Sequence, residues 1–118
     1  MYYIISTKWT HKSDAFFTFW RPNDKGYCWS QELAGIYENT DNLKFQIEYN
    51  NLHSTLAIDC DKINNFFVEV NFEGHILKVL PNILKVRTVL GINKTNLNKL
   101  YPSNCPRVIE LNSILIKN

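Results

Sequence analysis

The stretch FFTFWRPNDKGYCWSQELAGIY, residues 16–37, decides the fold because it joins strand-like segments to a tight turn. Residues 15–20 are mostly aromatic, which suits a half-buried pleated surface. Residues 21–26 contain proline, asparagine, aspartate and glycine, which end a strand and favour turn conformations. Residues 27–29 are then predicted as a third short strand.

The same patterns extend on both sides of this stretch. Residues 2–7 predict a strand that pairs antiparallel with residues 15–20, and residues 67–72 and 75–80 predict a second hairpin around Glu73-Gly74. Further segments predict one more strand and short helical pieces. They are the strand 52–58, a turn over 31–34 capped by Ser30, a helix over 41–49, a helix capped by Asp59 or Asp61 and a helix over 83–90 capped by Asn82.

The sequence therefore predicts an α+β fold, a mainly antiparallel sheet with two or three short helices packed on one side. With 118 residues, of which 45% are apolar, we expect residues 1–118 to form a single domain with its own core. Cys28, Cys60 and Cys105 are odd in number and widely spaced, which is typical of reduced thiols in the cytoplasm. The sequence shows no signal peptide and no apolar run of membrane-spanning length, so we expect no membrane partner.

Charge is divided unevenly along the chain. Residues 1–74 carry six Lys/Arg and ten Asp/Glu, a net charge of −4, whereas residues 75–118 carry seven Lys/Arg and one acidic residue, a net charge of +6. A basic carboxy-terminal part can attract an anionic ligand. The sequence pI of 8.4 is below the range typical of DNA-binding domains.

No catalytic or metal-binding motif is present. The four glycines are isolated, so no phosphate-binding loop is predicted, and no pair of histidines has the spacing of a zinc site. We expect no cofactor, assign no catalytic or metal-ligating residue and favour a protein that is not an enzyme. The enzymatic alternatives are a thiol nucleophile at Cys28, a role for His11, or Glu32 as a general acid or base.

The aromatic turn is the candidate binding surface. Alternation along residues 16–20 directs Phe17 and Phe19 to one face and Phe16 and Trp20 to the other, so one face packs under the helices while the other is covered or stays exposed. Tryptophan, tyrosine and arginine dominate interface hot spots, and arginine beside a ring is also typical of nucleotide sites. The predicted binding residues are Trp20, Arg21, Asn23, Tyr27 and Trp29, joined by Arg87 and Arg107 for an anionic ligand.

The runs YYIISTKWT, TFWRPNDKGYCWSQELAGIYE, EYNN and AIDCDKI resemble a family of short uncharacterised phage and prophage proteins. The resemblance covers about residues 1–65 and carries no established activity. It implies a cytoplasmic protein of the bacterial host cell that binds and inhibits a host protein, for example a CRISPR-type defence component, through the aromatic turn or through the acidic residues Asp59, Asp61, Glu69 and Glu73. The first alternative is a protein that sequesters a nucleotide signal, and the second is a small enzyme using Cys28 or His11. The oligomeric state stays open.

Overall fold

A four-stranded antiparallel sheet forms the centre of the protein in a computed structural model, which describes residues 1–38 and 54–97. Its strands are β1 (Tyr2–Ser6), β2 (Thr18–Trp20), β3 (Tyr27–Cys28) and β4 (Thr55–Asp59), in the order β3-β2-β1-β4. In β1, Ile5 pairs with Phe19 on one side and with Leu56 on the other. The predicted antiparallel pairing of the first two strands is confirmed. The predicted helix over 41–49 and the first two residues of the predicted strand 52–58 lie outside the described residues.

The predicted strand 15–20 changes its partner halfway along. Residues Thr18–Trp20 pair with β1 and β3, whereas Phe16 forms an isolated bridge with Pro81. The Phe17 N–H donates to the Leu80 carbonyl at 2.9 Å. One short aromatic run therefore ties the central sheet to the chain segment that follows the second hairpin.

The second hairpin forms as predicted. Strands β5 (Val68–Phe72) and β6 (His75–Val79) pair antiparallel, with Phe72 opposite His75. Glu73 and Gly74 both have positive φ, at 51° and 82°, which matches the twist required by a two-residue hairpin turn.

Two α-helices and three short 3-10 segments complete the described structure. Helix α1 (Cys60–Ile63) is capped by Asp59, whose side chain accepts the Asp61 N–H at 2.9 Å, so the predicted cap is confirmed. Helix α2 (Leu84–Leu90) ends at Gly91 in the left-handed conformation. The 3-10 segments are Pro22–Asp24, Asn64–Phe66 and Lys94–Asn96.

The predicted cap of α2 is wrong. Ile83 occupies the N-cap position and makes no side-chain cap, while the Asn82 amide donates to the Asp14 carbonyl at 2.9 Å. The Asn82 side-chain oxygen accepts from Arg87 at 2.8 Å. Asn82 therefore links the turn around Asp14 to α2 instead of closing the helix terminus.

The described residues form two apolar cores. The larger core packs Phe19 of the central sheet, and Phe17 just before β2, against both helices, through Ile63 of α1 and Val86 of α2. The smaller core lies under the hairpin β5–β6 and includes Phe16 with Val70, Phe72 and Val79. The predicted alternation of faces is confirmed for Phe16, Phe17 and Phe19, while Trp20 belongs to neither core. Both described α-helices contribute to the larger core, which contains Phe19 of the central sheet. No helix within residues 1–38 and 54–97 has the length and apolar character needed to cross a membrane.

Candidate functional site

The turn between β2 and β3 holds Arg21 at the protein surface. Trp20 pairs with Tyr27 in the sheet, and the Arg21 N–H donates to the Gly26 carbonyl at 2.8 Å. Asn23 and Asp24 have φ angles of 59° and 57°. Asparagine and aspartate tolerate this left-handed conformation better than other side chains do, which explains how the loop can double back in so few residues.

Residues 34–37 are hydrogen-bonded to this turn. The Gly35 N–H donates to the Trp20 carbonyl at 2.8 Å, and the Tyr37 hydroxyl donates to the Arg21 carbonyl. The same hydroxyl accepts the Asp24 N–H at 3.3 Å. The sequences WRPN (residues 20–23) and AGIY (residues 34–37), which belong to one of the runs quoted for the phage-protein resemblance, are therefore in direct contact.

The rings of Trp9, Trp20 and Tyr27 form an aromatic patch beside Arg21. The Tyr27 ring lies 6.1 Å from the Trp9 ring and 6.3 Å from the Trp20 ring, measured between centroids. Tyr27 is 48% exposed and Trp9 is 42% exposed, whereas Trp20 is half-buried. Lys8 places its ammonium 5.3 Å from the Trp9 ring. The patch therefore combines exposed aromatic surface with the cations of Lys8 and Arg21.

A cavity of about 560 Å³ adjoins the patch, between the β3 segment and the hairpin β5–β6. Its wall is held in place by the Gln31 N–H, which donates to the Lys78 carbonyl at 2.8 Å, and by Trp29, whose ring packs edge-on against Phe16. The cavity is apolar at Phe72, Leu77 and Trp29 and carries ionisable or polar groups elsewhere. The other lining residues include Arg21, Tyr27, Leu33, Glu73 and His75.

The Arg21 guanidinium is available to a ligand. Within the described part of the chain it makes no hydrogen bond and no ion pair. Its positive charge acts on the nearby Cys28 thiol, where it partly opposes the effect of burial. A guanidinium beside aromatic side chains is suited to bind a carboxylate or a phosphate.

The structure gathers some of the predicted binding residues and separates others. Arg21, Tyr27 and Trp29 line the cavity together, while Trp20 and Asn23 lie in the adjoining strand and turn. Arg87 lies on α2 and donates to the carbonyl and side-chain oxygens of Asn82, at 3.0 and 2.8 Å. Arg107 lies outside the described residues.

Sequence reasoning did not assign His75, Leu33 or Trp9 to this site, and it placed Glu73 in a separate acidic surface. Glu73 and His75 line the cavity from the hairpin β5–β6, and Trp9 joins the aromatic patch from the loop after β1. The hairpin itself is predicted by the sequence, but which surface it packs against is not. The polar pair flanking Gly74 is the only local signal at the hairpin end, and such residues are ordinary in a turn.

The residues considered for catalysis are not assembled for it. Burial raises the pKa of the Cys28 thiol to about 11, which disfavours the reactive thiolate. His11 lies in a separate turn, where its ring nitrogen Nδ1 accepts the Ser13 N–H at 3.0 Å. Glu32 is exposed. Among the residues described, no three His, Cys, Asp or Glu side chains come close enough to hold a metal ion.

Comparison with known proteins adds little to this picture. No family model matches the chain, and no solved structure matches it. The chain is similar to disease resistance protein ADR1 of Arabidopsis thaliana, with 36% identity over 76 residues. The match covers 55% of this chain but only 9% of the plant protein. A match of that extent assigns neither a family nor an activity.

Proposed function

We propose that this protein binds a bacterial host protein and inhibits it, without catalysis, through the aromatic patch and Arg21. The observation that carries the proposal is the exposure of Tyr27 and Trp9 next to a guanidinium that makes no ion pair within residues 1–38 and 54–97. Contiguous exposed aromatic surface marks interaction sites in soluble proteins. The resemblance to phage and prophage proteins supports a host protein as the target.

The chemistry of the surface indicates what the partner presents. Leu33 is 50% exposed at the cavity mouth and extends the apolar area around Tyr27. Arg21 and Lys8 supply two cations at this surface, and both are exposed. A partner with acidic side chains around an apolar anchor would be complementary to it, and charge complementarity raises the rate and specificity of association.

The rigidity of the turn also supports a role in recognition. The left-handed residues Asn23 and Asp24, and the hydrogen bonds from Gly35 and Tyr37, fix the turn before any partner arrives. A preorganised surface loses less conformational entropy on binding, so more of the contact energy appears as affinity.

The test is affinity capture from a bacterial lysate, followed by measurement of binding to the purified partner. Tyr27→Ala and Arg21→Ala are compared with Leu84→Ala, which truncates a 72% exposed apolar side chain on α2. We expect the first two variants to lose about 2 kcal/mol of binding energy each, roughly a thirtyfold weaker Kd, and the control to bind like wild type. The activity of the purified partner should fall as wild-type protein is added. Equal binding by all three variants would rule out this surface.

A further inference from the structure

The cavity between the β3 segment and the hairpin β5–β6 has features of a small-molecule site, and it shares Arg21, Tyr27 and Leu33 with the surface proposed to bind the host protein. Its volume of about 560 Å³ lies within the range of roughly 300–1,000 Å³ found for ligand pockets. Most of its lining is apolar or aromatic, with a few polar groups that converge on the same space. We propose that this cavity binds a nucleoside monophosphate, an anion whose planar base can stack on a ring.

Arg21 supplies the anion-binding group. Its guanidinium is exposed, lines the cavity and, in the part of the chain described, has no acidic partner. His75 lines the same cavity from the start of β6 and can donate a second hydrogen bond to a phosphate oxygen. One guanidinium and one imidazole match a single phosphate group better than a triphosphate, which needs more cations.

The ring-binding surface comes from Tyr27 and Trp29. Both side chains line the cavity, so a planar ring that enters it meets aromatic surface. Trp29 is fixed by edge-on packing against Phe16, at 6.4 Å between ring centroids. Stacking on a fixed ring is favourable for any base and needs little ordering of the protein.

Glu73 gives the cavity a discriminating acceptor. Its carboxylate is exposed at the hairpin turn, lines the cavity and has no hydrogen bond or ion pair among the described residues. A lone carboxylate repels a highly charged anion but accepts hydrogen bonds from hydroxyl or amino groups. A nucleoside carries such groups on its sugar and its base, at a distance from the phosphate that Arg21 would bind.

The test uses the purified protein alone, with AMP, adenosine and inorganic phosphate as probes in isothermal titration calorimetry. We expect saturable one-to-one binding of AMP that is tighter than binding of either adenosine or phosphate. Arg21→Gln should weaken AMP binding at least about tenfold, since hydrogen bonds to charged groups contribute that much or more. Tyr27→Leu should weaken it roughly tenfold through loss of stacking.

Two control variants separate this site from general charge effects and from partner binding. Lys25→Gln removes one exposed cation from the same turn but does not line the cavity, so AMP binding should be unchanged. Trp9→Ala should weaken the host-protein complex more than it weakens AMP binding, because Trp9 contacts Tyr27 but does not itself line the cavity. Circular dichroism checks that each variant is folded.

Three results would overturn the inference. They are the absence of saturable AMP binding, equal losses in Arg21→Gln and Lys25→Gln, and phosphate binding as tight as AMP binding. The first two remove the site, and the third removes the ring as a recognition element. Since no host protein is present in this assay, its failure leaves the partner-binding proposal standing.

Discussion

Gly35 is the residue whose substitution tests the arrangement of the binding turn most directly. A Cβ added at Gly35 would lie 2.6 Å from the Cε2 atom of the Tyr37 ring, and 2.9 Å from both the Arg21 carbonyl carbon and the Pro22 nitrogen. The ring can rotate away, but the two backbone atoms can move only if the whole turn moves. In Gly35→Ala the Gly35 N–H to Trp20 carbonyl bond would be displaced as well.

The magnitude follows from three contributions. Overpacking at a close contact costs about 1–3 kcal/mol. Weakening one backbone hydrogen bond costs about 0.5–1.5 kcal/mol. The reduced freedom of the unfolded chain offsets about 0.4–1 kcal/mol. We expect Gly35→Ala to lower the free energy of unfolding by about 2 kcal/mol, which for a chain of this size corresponds to a fall of roughly 8 °C in Tm.

Urea unfolding and calorimetry measure this loss, with Gly74→Ala as the matched control. Nothing lies within 4 Å of a Cβ added at Gly74. Only the φ angle of 82° therefore disfavours alanine at this position, at a cost of about 1 kcal/mol. The double variant Gly35→Ala/Tyr37→Leu should remain destabilised because the backbone contacts persist. If Gly35→Ala is as stable as wild type, the close approach of the two segments is wrong.

Three further predictions concern single side chains. Tyr37→Phe removes the hydroxyl bonded to the Arg21 carbonyl and should lower the urea-derived free energy of unfolding by about 1 kcal/mol; an unchanged midpoint would show that this hydroxyl does not hold the turn. Because the pKa of Cys28 is raised to about 11, its alkylation near pH 7 should be about ten- to a hundredfold slower than that of free cysteine. Peptide mass spectrometry measures this rate, and a rate like that of free cysteine would contradict the burial of the thiol. Burial raises the pKa of Asp14, so the folded protein favours the neutral form of this carboxyl group. The contribution of Asp14 to the free energy of unfolding is therefore fully present below the ordinary pKa and is lost as the pH rises through the raised pKa. The stability of wild type minus that of Asp14→Asn should therefore fall as the pH rises above the ordinary aspartate pKa of about 4, and a constant difference would exclude the effect.

The fold class is recoverable from the sequence because local signals agree with one another. The alternation in residues 16–19, the Glu73-Gly74 turn and the Asp59 cap each depend on neighbouring residues alone, and each is confirmed. Asn82 shows where local reasoning fails. Its side-chain amide donates a hydrogen bond to the Asp14 carbonyl, and no local sequence pattern predicts a partner 68 residues away.

The same contrast between local and long-range contacts applies to the candidate site. Arg21, Tyr27 and Trp29 are predicted because they lie within a few residues of one turn. Glu73 and His75 face the same cavity only because the hairpin β5–β6 packs beside the β3 segment. The sequence predicts the hairpin β5–β6 but not the segment against which it packs. The cavity residues that the hairpin contributes therefore could not be predicted from the sequence.

The position of β1 between two partners has a kinetic consequence. Ile5 pairs with Phe19 nearby in sequence, but also with Leu56, which the ribosome adds about fifty residues later. Until that segment has been synthesised, the nascent chain exposes one edge of an apolar strand. Pairings of such long sequence separation slow folding and leave the unfinished sheet open to aggregation. During synthesis the edge of β1 that will pair with β4 therefore stays open to pairing with other chains until β4 has been made.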